Sequence, residues 1–483
     1  MTTRRYDGLV LLLLGAAAFL VIGIAWRNVS LIEMGDFKVV YYSARCLLQN
    51  GDPYRESDVL RVYQTEGRER SNEPALDRQV KTRFFYPPTA FIFTLPFAAV
   101  GFTAGKVIWT VFLGASLILA ASLVWDIGTD FAPLVPGALS GLLLMNSFWL
   151  YMIGNSAGIA VSLCVIALWC FYRERFVPLG VICLALSLAL KPNDSGLVWL
   201  LLLLAASPLR KRALQSLALL AILSLPIILW VTHVSPHWLA ELNANMFSFS
   251  GIGGIVDPAA TGMAGRNMDS LVQLQSAISI FFSDPQTYNL ISYAICAPLV
   301  LVWAFVTIRY RPSGTGLWLA LATAAPLSML PTYHFQHDAK LLLLTIPACA
   351  MLWSKRGLQG WLALLITGIG ILINGDIFTA ARILLTRGIL VPQPSFVSRL
   401  STVVLTRQAP IILLVMAVFY LMIYTMFALN QRSQSAVEDS SQTPEDSAQN
   451  VLHAQSAMAG VDAGDRSNWL VIPQSPGNRG SAA

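Results

Sequence analysis

The sequence predicts an all-α polytopic membrane protein, a bundle of about twelve transmembrane helices with amphipathic helices in its extracytoplasmic loops. Three observations predict it. Of the 483 residues, 55% are hydrophobic and 12% charged, with a mean hydropathy of +0.62, whereas soluble domains have about 25% charged and about 45–50% apolar residues. Apolar runs near the roughly 20 residues that a spanning helix requires recur along the chain. Short basic clusters punctuate those runs. A chain of this composition cannot cover a soluble surface with polar groups, which excludes a soluble enzyme, a nucleic-acid-binding module and a disordered scaffold.

The first run, 8–26, follows Arg4 and Arg5. It is long for a signal peptide, and Ile24-Ala25-Trp26-Arg27 offers no small-residue cleavage site, so it reads as a retained first span with a cytoplasmic N-terminus. Further runs lie at 104–125, 133–151, 156–172, 176–190, 195–207, 213–232, 288–308, 315–331, 338–353, 358–374 and 409–429. Arg173/Arg175, Arg210-Lys211-Arg212, Arg309/Arg311, Lys355/Arg356 and Arg432 mark cytoplasmic turns, and this bias accounts for the net charge of +6 without an acidic partner. Counting from them places Gly154-Asn155, Lys191–Asp194, the 233–287 loop and Tyr333–Asp338 outside. The count needs one net crossing between 86 and 126, where two runs exist. The stretch 87–100, short and bearing Pro87, Pro88 and Pro96, is the candidate for a re-entrant piece. Residues 1–430 then form one membrane domain with both termini cytoplasmic.

Three external segments carry the polar content: 27–85, 233–287 and 375–408. The first holds 10 of the 32 Lys+Arg and 9 of the 26 Asp+Glu. Loops of this length are functional or disordered, and their mixed apolar and charged composition favours folded or interfacial pieces. The tail 431–483, rich in Ser, Gln, Ala and Gly, reads as disordered and cytoplasmic. Five of the six cysteines sit inside apolar runs without metal-ligand spacing, as small hydrophobes do.

Candidate chemistry falls in the external turns. Asp36 opens a stretch with Phe37, Val40, Tyr41, Ala44, Leu47 and Leu48 on one helical face, ending at Asn50-Gly51-Asp52-Pro53-Tyr54. That pattern predicts an amphipathic helix at the outer membrane surface, with Asp36 either its N-cap or a base accepting a hydroxyl proton. Arg83, before Phe84-Phe85-Tyr86-Pro87-Pro88, either snorkels or meets a phosphate. Lys191 either snorkels or pairs with an anionic headgroup. His334, His337 and Asp338 lie in one turn. They form a loop cap or a hydrogen-bonding cluster for a phosphate or sugar, and a metal site lacks a third or fourth ligand of suitable spacing. No Walker A, GxGxxG, HExxH or GxSxG pattern is present, so no nucleotide cofactor is expected.

Asp36-Phe37, Tyr41-Tyr42, Ala44, Leu47-Leu48 and Gly51-Asp52-Pro53-Tyr54 resemble the opening signature of glycosyltransferase family 87. Tyr86-Pro87-Pro88, Gly154-Asn155, Leu190-Lys191-Pro192 and the Pro331–Asp338 turn followed by Leu341–Leu344 match its later landmarks in order, across about 8–430. Family members often carry Gly-Gln at Gly154-Asn155, so no role passes to that pair. The resemblance implies a GT-C fold of about a dozen transmembrane helices in the plasma (inner) membrane, with its active site on the extracytoplasmic face. Such enzymes take one sugar, commonly mannose, from a polyprenyl-phosphate donor to a lipid-linked or glycan acceptor with inversion, usually without metal. The base of the family maps to Asp36. Expelling a phosphate calls for cationic or hydrogen-bonding partners, and Lys191, His337 and Arg83 are the candidates, with His334 and Asp338 beside them. The rival expectation is a transporter or flippase of a lipid-linked molecule, for which site residues near the membrane centre are typical.

Overall fold

The computed structural model describes residues 2–29, 34–66, 83–252, 254, 256–259, 270–386 and 395–441. The chain divides into two units, Met1–Met426 and Phe427–Ala483. In order the helices are α1 (Thr2–Val29), α2 (Gly35–Leu48), α3 (Glu56–Glu66), α4 (Phe91–Ala98, led by the 3-10 turn Pro88–Ala90), α5 (Phe102–Thr129), α6 (Leu134–Met145), α7 (Trp149–Ile153), α8 (Ala157–Tyr172), α9 (Val177–Leu190) and α10 (Pro192–Leu204). There follow α11 (Ser207–Val234), α12 (Trp238–Ser250), α13 (Gln275–Ile278), α14 (Pro285–Tyr310) and α15 (Gly314–Met329). A 3-10 segment Asp338–Thr345 leads into α16 (Ile346–Ser354), followed by α17 (Leu358–Ile373), α18 (Asp376–Thr386), α19 (Phe396–Thr406) and α20 (Gln408–Ser441). Among the described residues the one extended pairing is a bridge between Leu271 and Phe335.

The chain is thus a helical membrane protein. Among the described residues six stretches are long and apolar enough to cross a bilayer: Arg5–Trp26, Phe102–Thr129, Leu134–Ile153, Ser207–Val234, Pro285–Tyr310 and Gln408–Gln431. The pair α17–α18, bent by 61°, would make a seventh. Among the described residues this is fewer than the expected dozen, and the apolar helices fall into two classes. α11 and α14 expose Leu225, Leu229, Leu301 and Phe305, as lipid-facing helices do. By contrast α8 and α15 are sheathed almost completely by protein. At 16 residues each they reach about 24 Å at 1.5 Å per residue, against an apolar core of about 30 Å. The breaks that shorten these central elements are the turns that carry the candidate residues. Pro88–Ala98 is likewise too short to cross, in keeping with a re-entrant piece.

Two features position the site. α1 packs on α6 through glycine: a side chain at Gly15 would strike the Gly141 backbone, and one at Gly137 the Gly8 backbone. Close backbone approach of this kind is how small residues join helices in lipid. Further along, residues 270–274 run beside 330–336. Val272 N–H donates to His334 O (3.1 Å), Gln336 N–H to Ser270 O (2.9 Å) and Leu274 N–H to Leu330 O (2.9 Å). This clamp fixes the histidine-bearing turn.

The expectation for α2 needs correction. The helix forms where the pattern places it, yet it is buried on nearly every side, with Val39, Tyr42, Ser43 and Cys46 covered as well as the predicted face. Tyr41 Oη donates to Val100 O (2.8 Å) and Arg45 Nη1 to Ala98 O (3.2 Å), so the α4 end covers what the pattern leaves to membrane.

In the second unit the chain stays helical to Ser441, past 431, where composition predicts disorder. A formed helix propagates readily once nucleated. The remaining predicted tail, 442–483, lies outside the described residues, as do 67–82, 260–269 and 387–394 of the three external segments.

Candidate active site

Asp36 lies in the first turn of α2, not at its cap. The preceding Met34 adopts φ 52°, no side chain caps the helix, and Met34 N–H donates to Met152 O (3.0 Å). The carboxylate is half-buried in the wall of a cavity of about 450 Å³. Asn155 Nδ2 donates to Asp36 Oδ2 at 2.6 Å. Burial pushes the Asp36 pKa up to about 6, against the opposing pull of Asn155 and Lys191. Gly154 makes the approach possible: it ends α7 at φ +68°, and a Cβ there would sit 2.7 Å from Phe37 Cβ. Trp109 Nε1 donates to Gly154 O (3.0 Å) and holds the turn.

Lys191, the single residue between α9 and α10, reaches the same cavity. Its ammonium donates to Asp338 Oδ1 and lies 3.7 Å from Asp194 Oδ2. All three are buried, so the cation is matched by carboxylates rather than snorkelling. Asp338 is fixed from its other oxygen, which accepts from Phe335 N–H (2.7 Å). His334 is fully buried behind this pair, with Nε2 3.4 Å from Asp194 Oδ1 and Nδ1 3.1 Å from Thr332 O. A carbonyl only accepts, so Nδ1 carries a proton. Burial works against charging His334, but Asp194 and Asp338 outweigh it and raise its pKa. His337 differs. It lines the cavity, stacks on Phe335 (centroids 5.2 Å) and has its pKa lowered by burial to about 3, so it is neutral near pH 7.

Aromatic rings supply the rest of the wall. Phe85 stacks on Phe249 of α12 (4.5 Å), and Tyr333 meets Phe249 edge-on (5.7 Å). Tyr86 Oη is 3.2 Å from Ser156 Oγ, and burial pushes its pKa up to about 12, leaving it a protonated hydroxyl. α12 is tied down by Asn245 Nδ2, which donates to Tyr54 O (2.9 Å) and Phe84 O (3.0 Å).

Of the residues singled out from sequence, Asp36, Lys191 and His337 line one cavity; Asp338 and His334 stand behind it. Arg83 does not join them: its Nε donates to Glu56 Oε2 at 2.9 Å on α3. Several contributors went unassigned in the sequence. Asn155 holds Asp36, and Asp194 links Lys191 to His334. Behind the turn, Lys340 Nζ donates to Asn146 O (2.7 Å) and lies 3.6 Å from Asp376, which accepts from Gln336 Nε2 (3.0 Å). The polar residues beside Lys191-Pro192 were the available signal for Asp194. Among the described residues no three His, Cys, Asp or Glu side chains gather as a metal site. The chain matches no family model, and no curated protein matches it.

Proposed function

We propose that the chain is an integral-membrane glycosyltransferase of the family-87 type. In this reading it moves a sugar, mannose first among candidates, from a polyprenyl-phosphate carrier to a lipid-linked or glycan acceptor on the extracytoplasmic face of the plasma membrane. The observation that carries it is the half-buried Asp36 carboxylate, with its pKa raised to about 6, in one aromatic-walled cavity with Lys191 and neutral His337. A carboxylate with that pKa is ionised at neutral pH and is a better proton acceptor than an exposed one.

The acceptor hydroxyl gives its proton to Asp36 as its oxygen bonds to the anomeric carbon. The bond from that carbon to the phosphate oxygen breaks with its electron pair, and attack from the opposite side inverts the centre. Lys191 has three N–H donors, of which Asp338 takes one, and another meets the charge developing on the leaving phosphate. His337, uncharged, contributes a hydrogen bond. Phe85, Tyr333 and Phe335 offer faces for the sugar and for the first isoprene units.

The test is sugar transfer in reconstituted liposomes, from polyprenyl-phosphate-mannose to a membrane lipid extract. Wild type should transfer, and Asp36→Asn should fall by about a hundredfold or more, the general-base contribution being about 10²–10⁴. Equal turnover by both would remove Asp36 from the mechanism. Absence of transfer by wild type, with Asp36→Asn folding equally by size exclusion, would overturn the proposal for this donor.

A further inference from the structure

The turn between α7 and α8 does more than connect two helices. Asn155 Oδ1 accepts from Ala157 N–H at 2.7 Å, in the first turn of α8. A backbone N–H only donates, so that end of the carboxamide must be oxygen, and the end facing Asp36 must be the amide nitrogen. The adjacent Ser156 meets Tyr86 at 3.2 Å, so two consecutive residues of one turn hold two cavity-lining groups. The turn is itself restrained by the αL glycine and by Trp109.

We infer that Asn155 is a positioning residue: its carboxamide, locked by the α8 backbone, aims one donor at Oδ2 of Asp36 and so sets the rotation of that carboxylate, leaving Oδ1 for the acceptor hydroxyl. The inference rests on the role proposed above for Asp36. A donor to the charged form favours ionisation, so the same contact keeps the base available near neutral pH. Other charged and titratable groups facing Asp36 are Lys191, which also favours the anion, and Asp338, which opposes it, with the Tyr86 and Tyr333 phenols on the walls.

Two variants test it, and the first is Asn155→Asp. It keeps an oxygen for Ala157 N–H and the side-chain size, but sets a second carboxylate against Asp36 in place of the donor, so like-charge repulsion adds to the lost hydrogen bond. Asn155→Ala, run beside it, removes both contacts without adding a charge and so reads the loss of the donor. Purified protein is treated with a hydrophobic carbodiimide across pH 4–9. The reagent couples to protonated carboxyl groups, and mass spectrometry of the peptide bearing Asp36 reads its labelling separately from that of the new carboxyl group. In wild type the labelling midpoint falls near 6; in Asn155→Ala it rises by about one pH unit, the scale of a lost charge-assisted hydrogen bond, and in Asn155→Asp it rises further. The acid limb of the sugar-transfer pH profile moves with it. An unmoved midpoint in a folded Asn155→Ala protein overturns the inference, because a purely structural asparagine would leave Asp36 unchanged. A moved midpoint without transfer by wild type retires the transferase reading alone. Transfer by wild type with an unmoved midpoint retires Asn155 alone.

Discussion

Replacing Lys191 by methionine isolates the electrostatics of the cavity wall. Lys191 is 8% exposed, and the two acids that flank it, Asp194 and Asp338, are each 1% exposed. Methionine fills a similar volume but leaves both acids without their shared cation, and breaking a buried pair in this way costs about 3–5 kcal/mol. An unfolding entropy of about 2.1 cal/mol/K per residue over Met1–Met426 gives about 0.9 kcal/mol/K. The apparent Tm of Lys191→Met in detergent, followed by intrinsic fluorescence, should therefore drop by roughly 3–6 °C. Adding Asp338→Asn removes one of the stranded charges while keeping an acceptor for Phe335 N–H. The double variant should recover part of the loss, with a coupling of about 0.5–3 kcal/mol. Wild-type melting of Lys191→Met, or strict additivity in the cycle, would refute the view that one lysine neutralises this cluster.

Below about pH 6 the proposed base is protonated and cannot accept a hydrogen ion, so kcat/KM should fall tenfold per unit there and level off above. His337, held near 3 by burial, adds no inflection between pH 5 and 8, and a wild-type limb centred at 4 would contradict burial of the base. Gly154→Ala forces an L residue into φ +68° and places its Cβ against Phe37. That costs at least about 1–2 kcal/mol, measurable as a lower Tm, with sugar transfer falling as α2 is pushed away. Tyr86→Phe loses only the Ser156 contact, a loss of about 1 kcal/mol that should leave the Asp36 pH limb in place. A displaced limb would mean that Tyr86 sets the protonation of the base.

How far the sequence carried depended on range. The start and end of α2 are local events, written in Phe37–Leu48 and the following Asn-Gly-Asp-Pro, and they were legible. Basic clusters assigned Gly154-Asn155, Lys191-Pro192 and Tyr333–Asp338 to one side of the membrane, and these turns do share one cavity. Partnerships were not legible: Asn155 and Asp36 stand 119 residues apart, Lys191 and Asp338 147 apart. Nothing local marks Asn155 as the donor, or shows that Arg83 is occupied by Glu56. Burial of α2 was missed for another reason. Apolar periodicity identifies a face that avoids water, but does not distinguish lipid from α4 and Phe102 as its cover. The crossing count suffered likewise, since apolar content is blind to where a backbone stops.

The glycine contact between α1 and α6 bears on how the protein is made. Gly15 meets Gly141, about 125 residues later in synthesis, and a ribosome adding about 5–20 residues per second needs roughly 6–25 s to produce that partner. During that interval α1 sits in the bilayer with its small-residue stripe facing lipid, while α2 to α5 emerge. The interface between α1 and α6 is therefore assembled late, after α2 with Asp36 has been synthesised. A bulky residue at Gly141 would leave membrane insertion of α1 untouched and fail only at this docking step, producing a chain that is inserted but not packed.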